Sequence, residues 1–239
     1  MSLKVEHYAE LGITRISRWV FNCYIVHGGD GCVVVDAGLP RCPDDVARVL
    51  AGTGETVTVV TATHGHSDHV AGAPRLMADH SASLYLSEVT IGYLDGSLRP
   101  RTPTSAKVAR IWPTLLSQPF DVAGLTGLLP GASVAGFGGS KGMVGELLEP
   151  AKPLEDGQPL PGAPEWEVLY APGHTDDSLA LWHAASATLL SGDAVLTARG
   201  QAWFTPETVD DEAARRTERR LRDLQDADAF ERGAHVRPG

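Results

Sequence analysis

Short apolar segments separated by turn residues dominate the first third of the chain, a pattern typical of β-strands. Val33, Val34 and Val35 form a continuous apolar run, which favours a strand covered on both faces. Glycine and aspartate at residues 28–31 supply a turn before that run, so the segments on either side are predicted to form a hairpin. The strands predicted in this region are residues 13–20, 22–27, 32–36, 57–62 and 83–86.

Residues that favour helix ends mark the helices. Pro43, followed by Asp44 and Asp45, is a good helix start, and Gly52 is a good stop. A second helix is predicted over residues 70–78, directly after a histidine-rich segment. A third, strongly charged helix is predicted over residues 207–224. The mixed charges of residues 210–222 predict a solvated helix face with ion pairs four residues apart.

Residues 91–150 interrupt this pattern of strands and helices. Residues 105–116 have helical spacing, and the rest is rich in glycine and small apolar residues, so we predict a helical and loop insertion. Strand signals return at residues 166–170, 179–182 and 188–191. Two β-rich halves, each followed by helices, predict a single domain over residues 1–239. Its fold class is α/β, with two sheets packed face to face and helices outside.

Composition and charge narrow the class of partner. Apolar residues make up 43% of the 239 residues and charged residues 21%, as in an ordinary globular protein. The formal net charge of −10 argues against a nucleic-acid partner and against binding to an anionic membrane surface. We therefore expect a small-molecule substrate, while the sequence leaves open whether the chain forms a homo-oligomer.

The N-terminal residues and the cysteines indicate a reducing compartment. The chain shows no basic stretch followed by an apolar core, and no apolar run is long enough to span a membrane. Cys23, Cys32 and Cys42 are odd in number and lack Cys-x-x-Cys spacing. We expect them to be small buried side chains, neither disulfide-bonded nor metal-binding. These observations predict a cytoplasmic protein.

The strongest chemical signal is the segment His64-Gly65-His66-Ser67-Asp68-His69, at the end of a predicted buried strand. Imidazole and carboxylate groups together suit zinc, and also iron, manganese or nickel. In an extended turn alternate residues point the same way, so His64 and His66 are expected to reach one ion. Asp68 and His69, beyond the bend toward the helix, are expected to reach a second. The alternative, a solvated polar loop, gives no reason for so many histidines at a strand end.

Three later residues are candidates to complete such a site. His174 follows Pro172-Gly173, which favour a tight turn. Asp193 follows a predicted strand, where a carboxylate could bridge two cations. His235 lies near the C-terminus, after Ala234. Each of them alone is more often a core, surface or turn residue, but the first cluster favours the interpretation as ligands.

In this order, the His-x-His-x-Asp-His segment, Gly173-His174, Gly192-Asp193 and a late histidine resemble the motifs of the metallo-β-lactamase superfamily. The turn Asp36-Ala37-Gly38 also looks like an early motif of that family. The resemblance covers residues 22–235 and implies a four-layer αββα sandwich, two mixed β-sheets flanked by helices. It further implies a hydrolase with two bound metal ions, most simply two zinc ions per chain, with iron or manganese as alternatives.

The resemblance also assigns roles by position. His64, His66 and His174 would hold the first metal, Asp68, His69 and His235 would hold the second, Asp193 would bridge both, and Asp36 would orient the ligands from behind. The segment around His235 reads Gly-Ala-His-Val, where the family commonly has Gly-His-Gly. A site with a single metal therefore stays an alternative.

The implied chemistry is attack on a carbonyl carbon by hydroxide, formed near neutral pH from a water that two cations share. Asp68 would be the catalytic residue that accepts or passes a proton. The expected substrate is a small ester, thioester or lactone. The alternatives are a mono-iron oxidoreductase of the persulfide dioxygenase type and a true β-lactamase. Whether the apolar residues of the insertion, and Trp203 and Phe204, line the pocket or only pack the fold is left open.

Overall fold

The strands form two sheets and a separate hairpin in the computed structural model, which describes residues 3–38, 41–117, 151–198 and 201–226. The first sheet contains β1 (Leu3–Tyr8), β2 (Ile13–Arg18), β3 (Phe21–Gly28), β4 (Gly31–Val35), β5 (Val57–Thr61), β6 (Ser83–Ser87) and β7 (Lys152–Leu154). The second sheet contains β8 (Pro159–Leu160), β9 (Ala163–Tyr170), β10 (Leu179–His183) and β11 (Thr188–Leu190). The hairpin consists of β12 (Val195–Ala198) and β13 (Gln201–Phe204).

Helices connect and flank these strands. They are α1 (Cys42–Leu50), α2 (Ser67–Val70), α3 (Ala73–His80), α4 (Glu88–Asp95), α5 (Ser105–Ser117) and α6 (Asp211–Asp226). β1 to β4 pair antiparallel through short turns, whereas β4 to β7 pair parallel because helices carry the chain back between them. The described strands of the second sheet pair antiparallel. The carboxyl ends of β4 and β5 therefore lie at the same edge of the first sheet.

Three apolar clusters separate four layers. On the outer face of the first sheet, Val34 packs with Val46 of α1 and Leu76 of α3. Between the sheets, side chains of β4 and β5 meet those of β9 and β10, with Trp166 1% exposed. On the far face of the second sheet, Trp182 packs with Leu221 of α6. The layers run helices, sheet, sheet, helix, which confirms the predicted αββα sandwich.

The apolar run in β4 is covered on both faces, as the sequence predicted. Val33 and Val35 point into the cluster between the sheets, while Cys32 and Val34 point toward the helices. All four side chains have 0% exposure. The predicted hairpin of β3 and β4 is confirmed as well.

Several predicted boundaries were wrong for identifiable reasons. The first predicted strand, 13–20, ends at Arg18, because Trp19 enters the following turn with a φ of 57°. The predicted helix 70–78 is two helices, since α2 ends at Val70 and a new helix begins at Ala73, with Pro74 in its first turn. The predicted helix 207–224 begins only at Asp211. The short strands β1, β7, β8, β12 and β13 were not predicted.

Part of the predicted insertion at 91–150 is visible. α4 begins before residue 91, and α5 confirms the helical spacing over 105–116. Residues 118–150 and the side chain of Trp112 lie outside the described part of the chain, so the structure does not test whether the apolar residues of the insertion line the pocket or only pack the fold. On α6, Arg216 pairs with Glu212 and Arg222 with Glu218, four residues apart, which confirms the solvated charged face.

Candidate metal centre

The histidine-rich segment lies where β5 leaves the first sheet. β5 ends at Thr61, and α2 begins at Ser67 after an extended His66. The backbone N–H of His69 donates to the carbonyl oxygen of His66 over 2.9 Å, which folds the chain back on itself. The ring centroid of His64 consequently lies 4.4 Å from that of His66 and 4.0 Å from that of His69.

His64 occupies the centre of the cluster and is only 1% exposed. Its Nδ1 lies 3.2 Å from the hydroxyl of Thr63, while its Nε2 is buried and has no hydrogen-bond partner among the described residues. Burial lowers the pKa of His64 well below its usual value, and the imidazoles of His69, His66 and His174 add to this effect. The ring is therefore neutral, which is the form that binds a metal ion, and its unpartnered Nε2 lies within the cluster.

His174 comes from the turn between β9 and β10 and meets His66 there. The Nε2 of His174 lies 3.3 Å from the Nδ1 of His66. When two nitrogens bind the same tetrahedral zinc ion, each at about 2.0–2.1 Å, they lie about 3.3 Å from each other. The spacing of this pair therefore fits a shared ion. Burial, together with His174 and His69, lowers the pKa of His66 to about 3. His64, His66 and His174 offer three ligand nitrogens within 4.8 Å of one another.

The tautomer of His174 follows from its other ring nitrogen. The Nδ1 of His174 lies 2.7 Å from the main-chain carbonyl oxygen of Glu207, which can only accept a hydrogen bond. Nδ1 therefore carries the hydrogen, and Nε2 keeps its lone pair for the cluster.

A second group of donors surrounds His69. Its Nδ1 lies 3.1 Å from Asp36 Oδ2, and its Nε2 lies 3.6 Å from Asp193 Oδ1 and 3.8 Å from Asp68 Oδ2. Burial lowers the pKa of His69, but the carboxylates of Asp36, Asp193 and Asp68 outweigh it and raise that pKa well above its usual value. His64, His69 and Asp193 offer donor atoms within 4.8 Å of one another.

Asp68 lies beside this second group of donors. Its Oδ1 is buried and has no hydrogen-bond partner within the described part of the chain. Burial raises the pKa of the Asp68 carboxyl. An oxygen in this position is free either to bind a cation or to exchange a proton with a reacting group.

Asp193 faces both groups with different oxygen atoms. Its Oδ1 is 3.6 Å from the Nε2 of His69, and its Oδ2 is 3.7 Å from the Nε2 of His174. Burial raises the pKa of Asp193, but His69 and His174 outweigh it and lower that pKa below its usual value. An ionised carboxylate between two sets of nitrogen donors is the geometry needed for a bridge between two cations.

Two glycines allow the turns that carry His174 and Asp193. Gly173 has a φ of 145°, and a Cβ there would lie 2.5 Å from the Cα of Ala214. Gly192 has a φ of 50°, and a Cβ there would lie 2.5 Å from the hydroxyl oxygen of Thr63. A side chain at either position would strain the backbone and collide with its neighbour, so both ligand turns depend on glycine.

Asp36 lies behind the ligands, as the sequence suggested. Its Oδ1 accepts a hydrogen bond of 2.7 Å from the backbone N–H of Thr63, and the Thr63 hydroxyl lies 3.0 Å from its Oδ2. Together with the 3.1 Å contact to His69, these bonds tie the end of β4 to the histidine segment. Thr63 was not predicted as a site residue, and its position directly before His64 was the signal available.

Asp177 is a second residue that the sequence reasoning missed. It is 3% exposed, and its Oδ2 accepts hydrogen bonds of 2.7 Å from the backbone N–H of Gly65 and from the hydroxyl of Thr90. It therefore holds the centre of the His64–His66 turn from the opposite sheet. Its place in a polar run three residues after His174 was the only signal in the sequence.

The remaining candidate residues have different outcomes. His235 lies outside the described residues, so its role as a ligand of the second metal stays a prediction. Cys23, Cys32 and Cys42 are buried free thiols in the cluster beneath α1, which confirms the expectation of small core side chains. Phe204 packs at the edge of the third apolar cluster, under the guanidinium of Arg222, so packing is its observed role.

Comparison with known proteins identifies the family. The model of the metallo-beta-lactamase superfamily matches residues 18–230. The chain belongs to the metallo-beta-lactamase superfamily. Among curated relatives, the probable metallo-hydrolase YflN of Bacillus subtilis is 24% identical over 226 residues, which cover 84% of this chain and 76% of the relative.

Solved structures confirm the fold. The crystal structure of TTHA1623 in a di-iron-bound form superposes with a TM-score of 0.55 at 22% identity, covering 94% of this chain and 87% of that one. The DIM-1 metallo-beta-lactamase exposed to ceftazidime superposes with a TM-score of 0.58 at 18% identity and the same coverage. At these identities the likeness establishes the shared fold.

The family match and its probable metallo-hydrolase relatives confirm the prediction of a metallo-hydrolase at the level of the class. No helix in the described part of the chain is long and apolar enough to cross a membrane. The cytoplasmic location, the small-molecule partner, the oligomeric state and the single-domain boundary stay predictions.

Proposed function

We propose that this protein is a binuclear metal-dependent hydrolase, with zinc as its metal, that cleaves a small ester, thioester or lactone. The observation that carries the proposal is the buried, unpartnered Nε2 of His64 at the point where two donor groups meet. A polar nitrogen buried in this way costs about 1–3 kcal/mol unless something satisfies it. A cation is the partner that suits a neutral imidazole surrounded by three other imidazoles and two carboxylates.

The donor set supports two ions. One would be held by His64, His66 and His174, whose ligand nitrogens lie within 4.8 Å of one another, with the His66–His174 pair at 3.3 Å. The other would be held by His69, Asp68 and His235, with Asp193 shared between the two positions. When bound, such a pair of cations lowers the pKa of water and polarises a carbonyl oxygen.

The protein's own groups prepare and support this chemistry. The Nδ1 of His69 lies 3.1 Å from Asp36 Oδ2, and the Nδ1 of His174 donates a hydrogen bond to the Glu207 carbonyl oxygen, so that both Nε2 atoms face the cluster. Asp68 has a buried oxygen without a hydrogen-bond partner in the described chain and a raised pKa. It is placed to take a proton from the attacking water and pass it to the leaving group.

The class of substrate follows from charge and from the type of site. A net charge of −10 disfavours nucleic acids and other polyanionic phosphodiesters. Hydrolysis of a carbonyl group needs a nucleophile for the carbon atom and a Lewis acid for the oxygen atom. Two cations held in the adjoining donor groups would place both at one point. No serine nucleophile is required for this reaction, because a metal-bound hydroxide would supply the attacking group.

The test combines metal analysis with a substrate panel. The purified protein is stripped with a chelator, reloaded with zinc, iron or manganese, and assayed on aryl esters, acyl thioesters, lactones and a chromogenic β-lactam. We expect two zinc ions per chain and hydrolysis of at least one carbonyl class that chelator abolishes and zinc restores. His80→Ala, which changes a histidine on α3 away from the site, serves as the control for loss of an imidazole.

Different outcomes would point elsewhere. One iron per chain with oxygen consumption would support the persulfide dioxygenase alternative. Turnover of the β-lactam in preference to every ester, thioester and lactone would support the β-lactamase alternative. A protein that binds no metal under any of these conditions would overturn the proposal.

A further inference from the structure

Residues 205–210, between the β12–β13 hairpin and α6, lie against both turns that carry candidate ligands. The backbone N–H of Val209 donates to the carbonyl oxygen of Gly173 over 2.8 Å, next to His174. The backbone N–H of Thr205 donates to the carbonyl oxygen of Ala194 over 3.2 Å, next to Asp193. Glu207 lies between these two attachments, so its position relative to the metal centre is set by the backbone.

The acidic residues around Glu207 already have cationic partners. Asp210 accepts a hydrogen bond of 3.2 Å from Arg101, which also pairs with Asp176. Asp211 pairs with Lys107 at 2.6 Å. Arg101 and Lys107 are thereby engaged on the outer side of the segment.

The carboxylate of Glu207 differs from these neighbours. It is half-buried, yet it makes no hydrogen bond or ion pair with any residue that the structure describes. Its electrostatic neighbours are the site residues His174, Asp193 and Asp68, and burial raises its pKa. The carboxylate is therefore available to bind a cationic group that is not part of the folded chain.

Direct metal binding does not explain this carboxylate. The described residues form two groups whose ligand atoms lie within 4.8 Å of one another. One group is His64, His66 and His174, and the other is His64, His69 and Asp193. Glu207 belongs to neither group. Its main-chain carbonyl oxygen lies 2.7 Å from the Nδ1 of His174, so the residue lies directly beside the centre.

We propose that the side chain of Glu207 is a specificity determinant that binds a cationic group, such as an ammonium, on the substrate of this hydrolase. This inference rests on the proposed function of the same site. A charged hydrogen bond from an ammonium would satisfy the otherwise unpartnered carboxylate. The net charge of −10 would also favour the approach of a cationic substrate over an anionic one.

The experiment compares pairs of substrates that differ only in one positive charge. On the leaving-group side, acetylthiocholine is compared with 3,3-dimethylbutyl thioacetate. On the acyl side, the 4-nitrophenyl ester of 6-aminohexanoate is compared with that of heptanoate. For each pair, the ratio of kcat/KM for the cationic member to that for the neutral member is measured in three zinc-loaded proteins: wild type, Glu207→Gln and Asp210→Asn.

Glu207→Gln keeps the size of the side chain and its main-chain carbonyl, and removes only the charge. We expect it to lower the ratio about tenfold in at least one pair, through loss of an ion pair with the trimethylammonium of acetylthiocholine or of a charge-assisted hydrogen bond with the ammonium of the aminohexanoate ester. Asp210→Asn removes a charge from the same segment on the side facing Arg101, and we expect it to leave the ratio unchanged. An unchanged ratio in Glu207→Gln, or an equal fall in both variants, would overturn the inference.

A binding measurement separates this inference from the proposed function. Calorimetry on zinc-loaded protein compares thiocholine with 3,3-dimethylbutanethiol, whose sulfur atoms suit a zinc site. The trimethylammonium of thiocholine carries no N–H and would attract the carboxylate as an ion pair, so we expect Glu207→Gln to weaken thiocholine binding about tenfold relative to the neutral thiol. If no ester or thioester is hydrolysed but this preference holds, the proposed function fails and the role of Glu207 stands. If hydrolysis occurs and neither ratio depends on Glu207, the inference fails alone.

Discussion

The Nδ1 of His66 and the Nε2 of His174 lie 3.3 Å apart, although 108 positions separate the two residues along the chain. His66 comes from the end of the first sheet, and His174 comes from the turn between β9 and β10 of the second. The contact between the two sheets therefore creates the nitrogen pair. The two nitrogens face the same point, so the loss of either ring should cost more than one local contact.

Replacing His66 with Ala should remove one metal ion and lower kcat/KM at least 100-fold, because three nitrogens of one donor group become two. Metal content by mass spectrometry and the rate on the best substrate check this. His80→Ala should keep both values near those of wild type. Full metal content and full rate in His66→Ala would show that the site has been wrongly assigned.

Replacing Asp193 with Ala should weaken both metal positions together. Its two oxygens face His69 and His174 separately, at 3.6 and 3.7 Å, so one side chain serves both donor groups. Zinc titration followed by calorimetry should show two weakened binding steps in the variant. If only one step weakens, Asp193 belongs to one position and does not bridge.

Replacing Asp177 with Ala should destabilise the fold and loosen the metal centre. The N–H of Gly65 and the hydroxyl of Thr90 would both lose a buried acceptor, at a cost of about 1–3 kcal/mol in the free energy of unfolding. Metal affinity should fall about 10–100-fold, because the turn between His64 and His66 loses its support. Asp177→Asn keeps an acceptor oxygen, and its effects should be smaller in both measurements; equal effects would contradict this role.

In the metal-free protein, His66 should stay neutral to unusually low pH. Burial, with His174 and His69, lowers its pKa from 6.5 to about 3. As the pH falls below 6.5, the unfolded chain binds this proton before the folded protein does. His66 thus contributes no pH dependence above 6.5 and increasingly destabilises the metal-free fold between pH 6.5 and 3.

The titration of His66 can be followed by imidazole NMR on metal-free protein, with His66→Ala to assign the signal. We expect a midpoint near 3. A midpoint close to 6.5 would show that the ring is more hydrated than its position in the structure implies.

Replacing Cys23 with Ser should leave the metal content unchanged. Cys23 lies 4% exposed in the apolar cluster beneath α1, on the helix side of the first sheet. The new hydroxyl should lower the free energy of unfolding by about 1–3 kcal/mol through its burial among apolar side chains. Zinc content and a denaturant titration measure the two effects separately, and a loss of zinc without loss of stability would mean that a thiol is a ligand.

Local sequence determined much of the fold and the first part of the site. The apolar run of β4 specified a strand buried on two faces, because every side chain in it avoids water. The spacing within His64–His69 placed four donors near one another, since residues so close along a chain cannot separate far. The order of the later motifs was enough to indicate the superfamily.

Other features depended on tertiary structure. The sequence could not show that α6 begins at Asp211, because the preceding segment is held by hydrogen bonds to the distant Gly173. It also could not reveal the support of the Gly65 turn by Asp177, which crosses from one sheet to the other.

The sequence by itself determined which donor types are present and which of them are neighbours along the chain. Only the packing of the two sheets decided that His174 and Asp193 meet the first cluster, that Nε2 of His64 is left buried without a described partner, and that Glu207 lies beside them. The physical reason is range. Propensity and spacing act over a few residues, whereas a metal centre requires atoms from remote segments to agree within a few tenths of an ångström.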